Sequence, residues 1–558
     1  MKNLNKVVTA FVLVACCSFK VSADSEGKAA IATAHPLATY AGFEVLQQGG
    51  NAFDAAVAIS AALAVVEPAG SGLGGGGFWL LHRESDGFET MIDGREKAPI
   101  ASQKDMYLDK QGELISGLSR NGALSAAIPG LPAAIVHLSE KYGQLPLPQV
   151  LQPAIRYAQQ GFVIGEIHRK LLRFRLAVLQ QHTSTSRIFL NDNSLPDSKA
   201  LLIQLDLANT LKKIAMSGRE GFYAGEVAKH LIKSVTKAGG IWSQEDLDRY
   251  QVKERKPVKS EYKGLTVTSA SLPSSGGIVL AETLNILADY PLDQLDEVSR
   301  MHIISEAMRR AYHDRALYLG DSDFVNVPLK VLTNKYYAAG LRSSIRMDKA
   351  TPSHFLAGTI EEKSGGRNTT HFSVIDKQGN RVAATLSINF PFGSGFVAEG
   401  TGVLLNDEMD DFVSKTGAMN GYGLTGSFAN AIEPEKRMLS SMTPTFIEGE
   451  KRIAVLGSPG GSRIISMVLL AVLDFSKGYG PEFWVNSPRF HHQYMPDVIQ
   501  YEKGGMTNDE IKALSLLGHQ LKEVPYRYGN MQAVQLNKKT KQLSAASDPR
   551  GEGLALVR

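Results

Sequence analysis

The sequence predicts a mixed α/β fold, and three stretches carry that reading. After Thr369 the chain reads as strand, turn, strand: Phe372, Val374 and Ile375 supply β-formers, Lys377-Gln378-Gly379-Asn380 the turn, and Arg381 to Ile388 the return strand. Ala55 to Val66 contains a single polar residue, Ser60, so it reads as a helix buried on all sides and too short to span a bilayer. Between these two kinds of element, Gly72-Leu73-Gly74-Gly75-Gly76-Gly77 leads from a helix into the strand Phe78-Trp79-Leu80-Leu81.

The chain has 558 residues, 43% hydrophobic and 21% charged, the composition of a globular protein with ample core. Met1 to Ala23 reads as a secretory signal: Lys2 and Lys6 at the start, an apolar run from Val7 to Phe19, and the small-residue cleavage site Val21-Ser22-Ala23. Leu13-Val14-Ala15-Cys16 offers a second exported reading, a lipoprotein signal with Cys16 lipidated. Both cysteines, Cys16 and Cys17, lie in this leader, so cleavage after Ala23 leaves no thiol for a disulfide, a nucleophile or a metal site. The leader also holds three lysines and no acid. Without them, 57 basic residues stand against 56 acidic ones, and nothing points to nucleic acid.

His35 to Gln48 and Ala52 to Val66 are expected as two helices, with Gly49-Gly50-Asn51 as a C-cap followed by a restart. The glycine run after them matches the form of a dinucleotide fingerprint, but that needs a strand before and a helix after. Here the order is reversed, so the glycines are read as allowing close backbone packing. Arg95 follows the hydrophobic strand Phe88 to Ile92. It is either a solvated rim charge or a two-pronged holder of a carboxylate.

The middle of the chain is expected to be helical: Ala127 to Tyr142, Pro153 to Gln160, much of 166–255, and Ile278 to Leu287. Pro273-Ser274-Ser275-Gly276-Gly277 is read as an N-cap of that last helix. His302 lacks the His-Glu-x-x-His order of a zinc helix and is read as helix surface, and Tyr312-His313-Asp314-Arg315 as scaffold. No Gly-x-Ser-x-Gly elbow occurs, which argues against an α/β-hydrolase.

Chemistry-bearing residues concentrate beyond Thr369. If the bond before Thr369 is cut, the new N-terminal threonine carries its own nucleophile and its own base, an amine whose ordinary pKa is about 7.7–8.0. Ser387 and Asn389 end the return strand two residues apart, on one face. Asn406 to Phe412 is an acidic cluster without the pattern of a calcium loop; the plain alternative is the acid-rich start of a helix. Gly460 and Gly461 open a helix expected from Ile464 to Leu473. Their N–H groups suit an oxyanion or simply cap the helix in a tight turn.

Thr369-Thr370-His371-Phe372-Ser373-Val374-Ile375-Asp376 resembles the autoprocessing site of the γ-glutamyltransferases, or glutathione hydrolases, which are N-terminal-nucleophile hydrolases. His35-Pro36-Leu37-Ala38, Arg95-Glu96-Lys97-Ala98-Pro99, Leu439-Ser440-Ser441-Met442 and Ser458-Pro459-Gly460-Gly461 resemble further signatures of that family, spread over nearly the whole chain. The resemblance implies an αββα four-layer sandwich. Residues 1–23 would be removed, and cleavage between Asn368 and Thr369 would split the rest into a large subunit, 24–368, and a small one, 369–558, intertwined in one domain. It implies Thr369 as nucleophile, Gly460 and Gly461 as oxyanion donors, and Ser387 as a second hydroxyl beside the nucleophile, where the family usually has Thr. Arg95 with Ser440 and Ser441 would hold the substrate's α-carboxylate; Asn389, Glu408 and Asp411 its α-ammonium; Tyr422 would sit on a lid. The expected partners are γ-glutamyl compounds and amino-acid or peptide acceptors, with no cofactor, no metal, no nucleic acid and no stable membrane span. Two rivals remain: a related glutaryl or β-lactam acylase, which needs no ammonium clamp, and an unprocessed, non-enzymatic binding protein.

Overall fold

The computed structural model describes residues 29–356, 369–414 and 426–558. Asn368, Tyr422 and the leader with Cys16 lie outside the described residues.

Two antiparallel sheets form the centre. The first has seven strands in the order Leu554–Val557, Ala30–Thr33, Thr370–Ile375, Arg381–Ser387, Gly76–Arg83, Phe88–Gly94 and Lys253–Arg255. Its side chains alternate between two cores, as the two-residue period of a strand dictates. Trp79, Leu81, Ile92 and Val382 enter one hydrophobic cluster. Phe78, Leu80, Met91 and Ala383 enter the other. The second sheet has six strands: Leu543–Ser547, Gln532–Asn537, Arg452–Gly457, Thr445–Glu448, Leu265–Ser269 and Val258–Tyr262. It stacks on the first, with Thr370–Ile375 lying over Arg452–Gly457 and Gln532–Asn537.

Helices cover both outer faces. The helices Pro36–Gln47, Ala52–Val66, Leu131–Tyr142 and Gln152–Gln160 share the core of Trp79. The helices Gly276–Leu287, Glu297–Tyr318 and Arg463–Ser476 share the core that runs through the second sheet. The result is the four-layer αββα sandwich. Every residue of Ala52–Val66 is buried, as its composition requires. Asn51 caps it, its side chain accepting from the N–H groups of Phe53 and Asp54, while the Asp54 carboxylate accepts from Asn51 N.

His302 departs from the sequence expectation. It is fully buried, because the long helix Glu297–Tyr318 is enclosed from Met301 to Tyr312. One ring nitrogen meets the Arg346 carbonyl at 2.7 Å and the other meets His519 at 2.7 Å. The helix expected from Ala127 begins at Leu131; Gly130 occupies the N-cap position, and Pro132 lies in the first turn. Among the described residues, no helix is long and apolar enough to cross a membrane.

Candidate active site

Thr369 stands at the head of the strand Thr370–Ile375, in the middle of the first sheet, and is 5% exposed. The register pairs Thr370 with Leu386, which sets Ser387 across from Thr369 on the neighbouring strand. Ser387 Oγ accepts from Asn389 N at 2.8 Å. Asn389 turns the chain out of the sheet with φ +73°, a conformation asparagine tolerates better than most residues. Its side-chain amide donates to the Asp407 carbonyl at 3.0 Å, so the turn leads straight to the acidic cluster.

That cluster is one 3₁₀ turn, Glu408–Asp411, and it is tied down from two sides. The Asn406 amide donates to the carbonyls of Gly74 and Ala127, both at 2.7 Å, while its oxygen accepts from Ala127 N and Glu408 N. Asn430 donates to the Asp411 carbonyl at 2.7 Å and accepts from Leu439 N, joining the acidic turn to the segment that carries Ser440 and Ser441. Here the glycine run does what the sequence suggested: a Cβ on Gly74 would stand 2.1 Å from the Leu404 carbonyl oxygen.

Arg95 is buried beneath the turn. Its Nη1 meets Glu408 Oε2 at 2.6 Å, its Nη2 meets Asp411 Oδ2 at 2.6 Å, and its Nε donates to the Met438 carbonyl. The sequence reading set Arg95 against a carboxylate and the two acids against an ammonium, as separate halves. In the structure the halves hold each other. Buried charges without partners are costly, so opposite charges sharing one cleft pair directly. Burial, reinforced by Glu408, pushes Asp411 up to about 7 against the pull of Arg95. Burial and the neighbouring Glu408 raise Glu96 well above the usual carboxylate range; its carboxyl lies 3.5 Å from Arg95 and its oxygens have no hydrogen-bond partner among the described residues.

Ser440 and Ser441, two and three residues after the Met438 carbonyl that Arg95 bonds, line the same cleft. Of the serines read as an N-cap, Ser274 does accept from Gly276 N at 3.2 Å, and both also act here. Ser275 donates both its N–H and its hydroxyl to the Ser440 carbonyl, at 2.8 and 2.7 Å, and Ser274 donates to the Met442 carbonyl. The Ser275 side chain makes no cap bond to its own helix, because the Ser440 carbonyl takes that hydroxyl first. The loop from Ser458 to Ser462 closes the cleft. Gly461 adopts φ +58° and lines it, whereas Gly460, φ +145°, lies against Met467.

One cleft therefore gathers Thr369, Ser387, Asn389, Arg95, Glu408 and Asp411. Ser440, Ser441 and Gly461 face into the same space. So does Arg315, which the sequence reading assigned to scaffold. Asn406 was likewise missed; an Asn two residues before an acidic turn is a weak signal, and nothing in the sequence marks Arg315. Two adjacent histidines do not line the cleft: His491 is held by Ser466 and Gln493, and His492 by Asp497.

The family model for gamma-glutamyltranspeptidase matches residues 38–557. The glutathione hydrolase proenzyme of Pseudomonas sp. (strain A14) is 43% identical over 530 residues, 93% of this chain and 92% of its own. Among solved structures, the gamma-glutamyltranspeptidase of Helicobacter pylori aligns at 43% identity and a TM-score of 0.56, over 57% of this chain and 92% of that one. The cephalosporin acylase from Bacillus halodurans aligns at a TM-score of 0.81 and 26% identity, over 95% of this chain and 96% of its own. Backbone likeness thus reaches both chemistries, while sequence identity is higher to the first.

Proposed function

The chain belongs to the gamma-glutamyltranspeptidase family, and from that premise we propose how its residues carry out the reaction. It is an N-terminal-nucleophile enzyme that hydrolyses and transfers γ-glutamyl groups. In our reading the leader 1–23 directs export and is removed. The Asn368–Thr369 bond is then cut, giving a large subunit 24–368 and a small subunit 369–558.

The freed α-amine of Thr369 takes the proton of the Thr369 hydroxyl as its oxygen attacks the γ-carbonyl of glutathione or a related γ-glutamyl compound. Negative charge on the carbonyl oxygen is met by the N–H groups of Gly460 and Gly461 at the head of the helix Arg463–Ser476. The amine returns its proton to the leaving nitrogen as the C–N bond breaks, and Ser387 helps orient the nucleophile. Water, or the amine of an amino-acid or peptide acceptor, then attacks the acyl-enzyme, again losing its proton to the α-amine, which passes that proton to Thr369 Oγ as the ester C–O bond breaks and the hydroxyl is restored. This reaction sequence requires no cofactor.

The observation that carries this reading is the set of paired charges beside Thr369. Arg95, clasped by Glu408 and Asp411, is a zwitterion clamp in its closed-on-itself state. A γ-glutamyl group brings one carboxylate and one ammonium. Inserted between the partners, it exchanges the internal ion pairs for two of the same kind: carboxylate to Arg95, Ser440 and Ser441, ammonium to Glu408, Asp411 and Asn389. The likeness to a cephalosporin acylase favours a second reading, acylase action on a glutaryl group, which carries the carboxylate but no ammonium.

Two experiments test the proposal. Thr369→Ala should run as one uncut chain on a denaturing gel and release no nitroaniline from γ-glutamyl-p-nitroanilide; cleavage into two chains by this variant would remove Thr369 as nucleophile. For the unaltered enzyme, kcat/KM on γ-glutamyl-p-nitroanilide should exceed that on glutaryl-p-nitroanilide by a large factor. Sites built to pair a polar group reject analogues lacking it by up to about 10⁴–10⁵. Equal values would favour the acylase.

A further inference from the structure

Arg315 is 5% exposed on the helix Glu297–Tyr318, with its guanidinium at the wall of the cleft. Its Nε donates to Ser275 Oγ at 2.9 Å and its Nη2 to Ser441 Oγ at 3.2 Å. Several other arginines buried to a similar degree hold carboxylates: Arg310 with Glu306, Arg489 with Asp548, Arg95 with Glu408 and Asp411. Among the described residues, the Arg315 guanidinium hydrogen-bonds to hydroxyls only, and Asp411 of the same cleft, already held by Arg95, acts on it through space without a hydrogen bond. Burial pushes it down to about 10, which leaves it charged at neutral pH. A buried cation that faces a cleft without a bonded carboxylate is built to receive one.

The two serines agree. Ser441 Oγ accepts from Arg315, and Ser440 Oγ accepts from Met442 N at 3.1 Å. A hydroxyl has one proton to give. With an acceptor site of each oxygen engaged, both protons are left to point at a ligand that only accepts, as an ionised carboxylate does. Arg95, by contrast, already shares its fork between two acids.

We propose that Arg315 is a specificity-determining residue of the γ-glutamyl site: the second cation of its carboxylate half, fixing the Ser441 hydroxyl as a donor and making the substrate's α-carboxylate a requirement. The proposal rests on the γ-glutamyl reading above and predicts a pattern across substrates rather than a plain loss.

The test uses the matured enzyme and three anilides that share the chain from the acyl carbon to the carbon bearing the charged groups, at a pH above the value of about 7 to which Asp411 is raised. γ-Glutamyl-p-nitroanilide has both charges, glutaryl-p-nitroanilide only the carboxylate, and 4-aminobutyryl-p-nitroanilide only the ammonium. Arg315→Gln should lower kcat/KM roughly 10- to 100-fold on the two carboxylate substrates, the size of a lost hydrogen bond to a charged group. It should leave 4-aminobutyryl-p-nitroanilide nearly unchanged. Arg315→Lys, which keeps the charge and loses the fork, should fall between. Where turnover of an analogue is too slow to follow, inhibition by glutamate against inhibition by 4-aminobutyrate gives the same contrast. Equal losses on all three anilides would mark a structural role and overturn the proposal, as would no loss at all. Failure of both variants to mature would assign Arg315 to folding and equally overturn it. If the unaltered enzyme does not act on γ-glutamyl-p-nitroanilide, the γ-glutamyl reading itself fails and this proposal with it.

Discussion

At the scale of single residues, burial is what makes the site responsive to pH. Asp411 is raised to about 7 by burial first and by Glu408 second. Protonated, it cannot hold an ammonium. The free-enzyme profile of kcat/KM on γ-glutamyl-p-nitroanilide should therefore fall as pH drops through about 7, mainly through a rising KM. Asp411→Asn should remove that limb and leave the one set by the Thr369 amine, whose ordinary value is about 7.7–8.0. An unchanged limb in this variant would show that Asp411 does not carry the ammonium contact. Gly461 calls for a different probe. Its φ of +58° excludes proline, which requires about −65°, so a proline would break the loop as well as remove the N–H. Replacing Gly461 by the corresponding α-hydroxy acid turns the amide into an ester and deletes only the donor. Loss of one such donor lowers kcat by about 10²–10³. A matured ester variant with undiminished kcat would leave the oxyanion to other groups.

At the scale of elements, the acidic turn is positioned by backbone contacts more than by its own composition. Asn406 fastens it to the glycine run and to the segment before the helix Leu131–Tyr142, and Asn430 fastens it to Leu439, just before the paired serines. Gly74 accepts the Asn406 bond and also lets the Leu404 carbonyl approach closely. Gly74→Ala places a carbon 2.1 Å from that carbonyl oxygen, where only backbone movement relieves the contact. The expected result is a loss of stability of about 1–3 kcal/mol, the usual scale of overpacking. A rise in KM should accompany it as Glu408 and Asp411 shift. Thermal melting with steady-state kinetics measures both, and a variant with unchanged melting and KM would show that the close approach is not needed.

At the scale of the molecule, the two proposed subunits are woven through the same sheets. In the first sheet the strands Thr370–Ile375 and Arg381–Ser387 lie between Ala30–Thr33 and Gly76–Arg83. In the second, Leu265–Ser269 pairs with Thr445–Glu448. A cut before Thr369 breaks one covalent bond and none of these ladders. The matured protein should therefore elute as one particle in native size-exclusion chromatography and separate into two chains only in denaturant. Separation under native conditions would contradict the shared sheets.

How much of this was legible beforehand follows from how local each feature is. The buried helix Ala52–Val66, the hairpin after Thr369 and the packing role of the glycine run could be read from the sequence because the residues that decide them are neighbours in the chain. The candidate nucleophile, clamp and oxyanion residues could be named because short motifs carry them. By itself, then, the sequence determined the α/β class and which residue types the site would draw on. Only the tertiary structure decided how they meet. Arg95 closes on acids more than 300 positions away, Ser275 gives its hydroxyl to the Ser440 carbonyl instead of its own helix, His302 is enclosed rather than exposed, and Arg315 reaches Ser441 across 126 positions. The physical reason is that charge pairing and hydrogen-bond satisfaction are settled by proximity after burial, and burial in a four-layer fold brings together side chains whose separation along the chain holds no record of it.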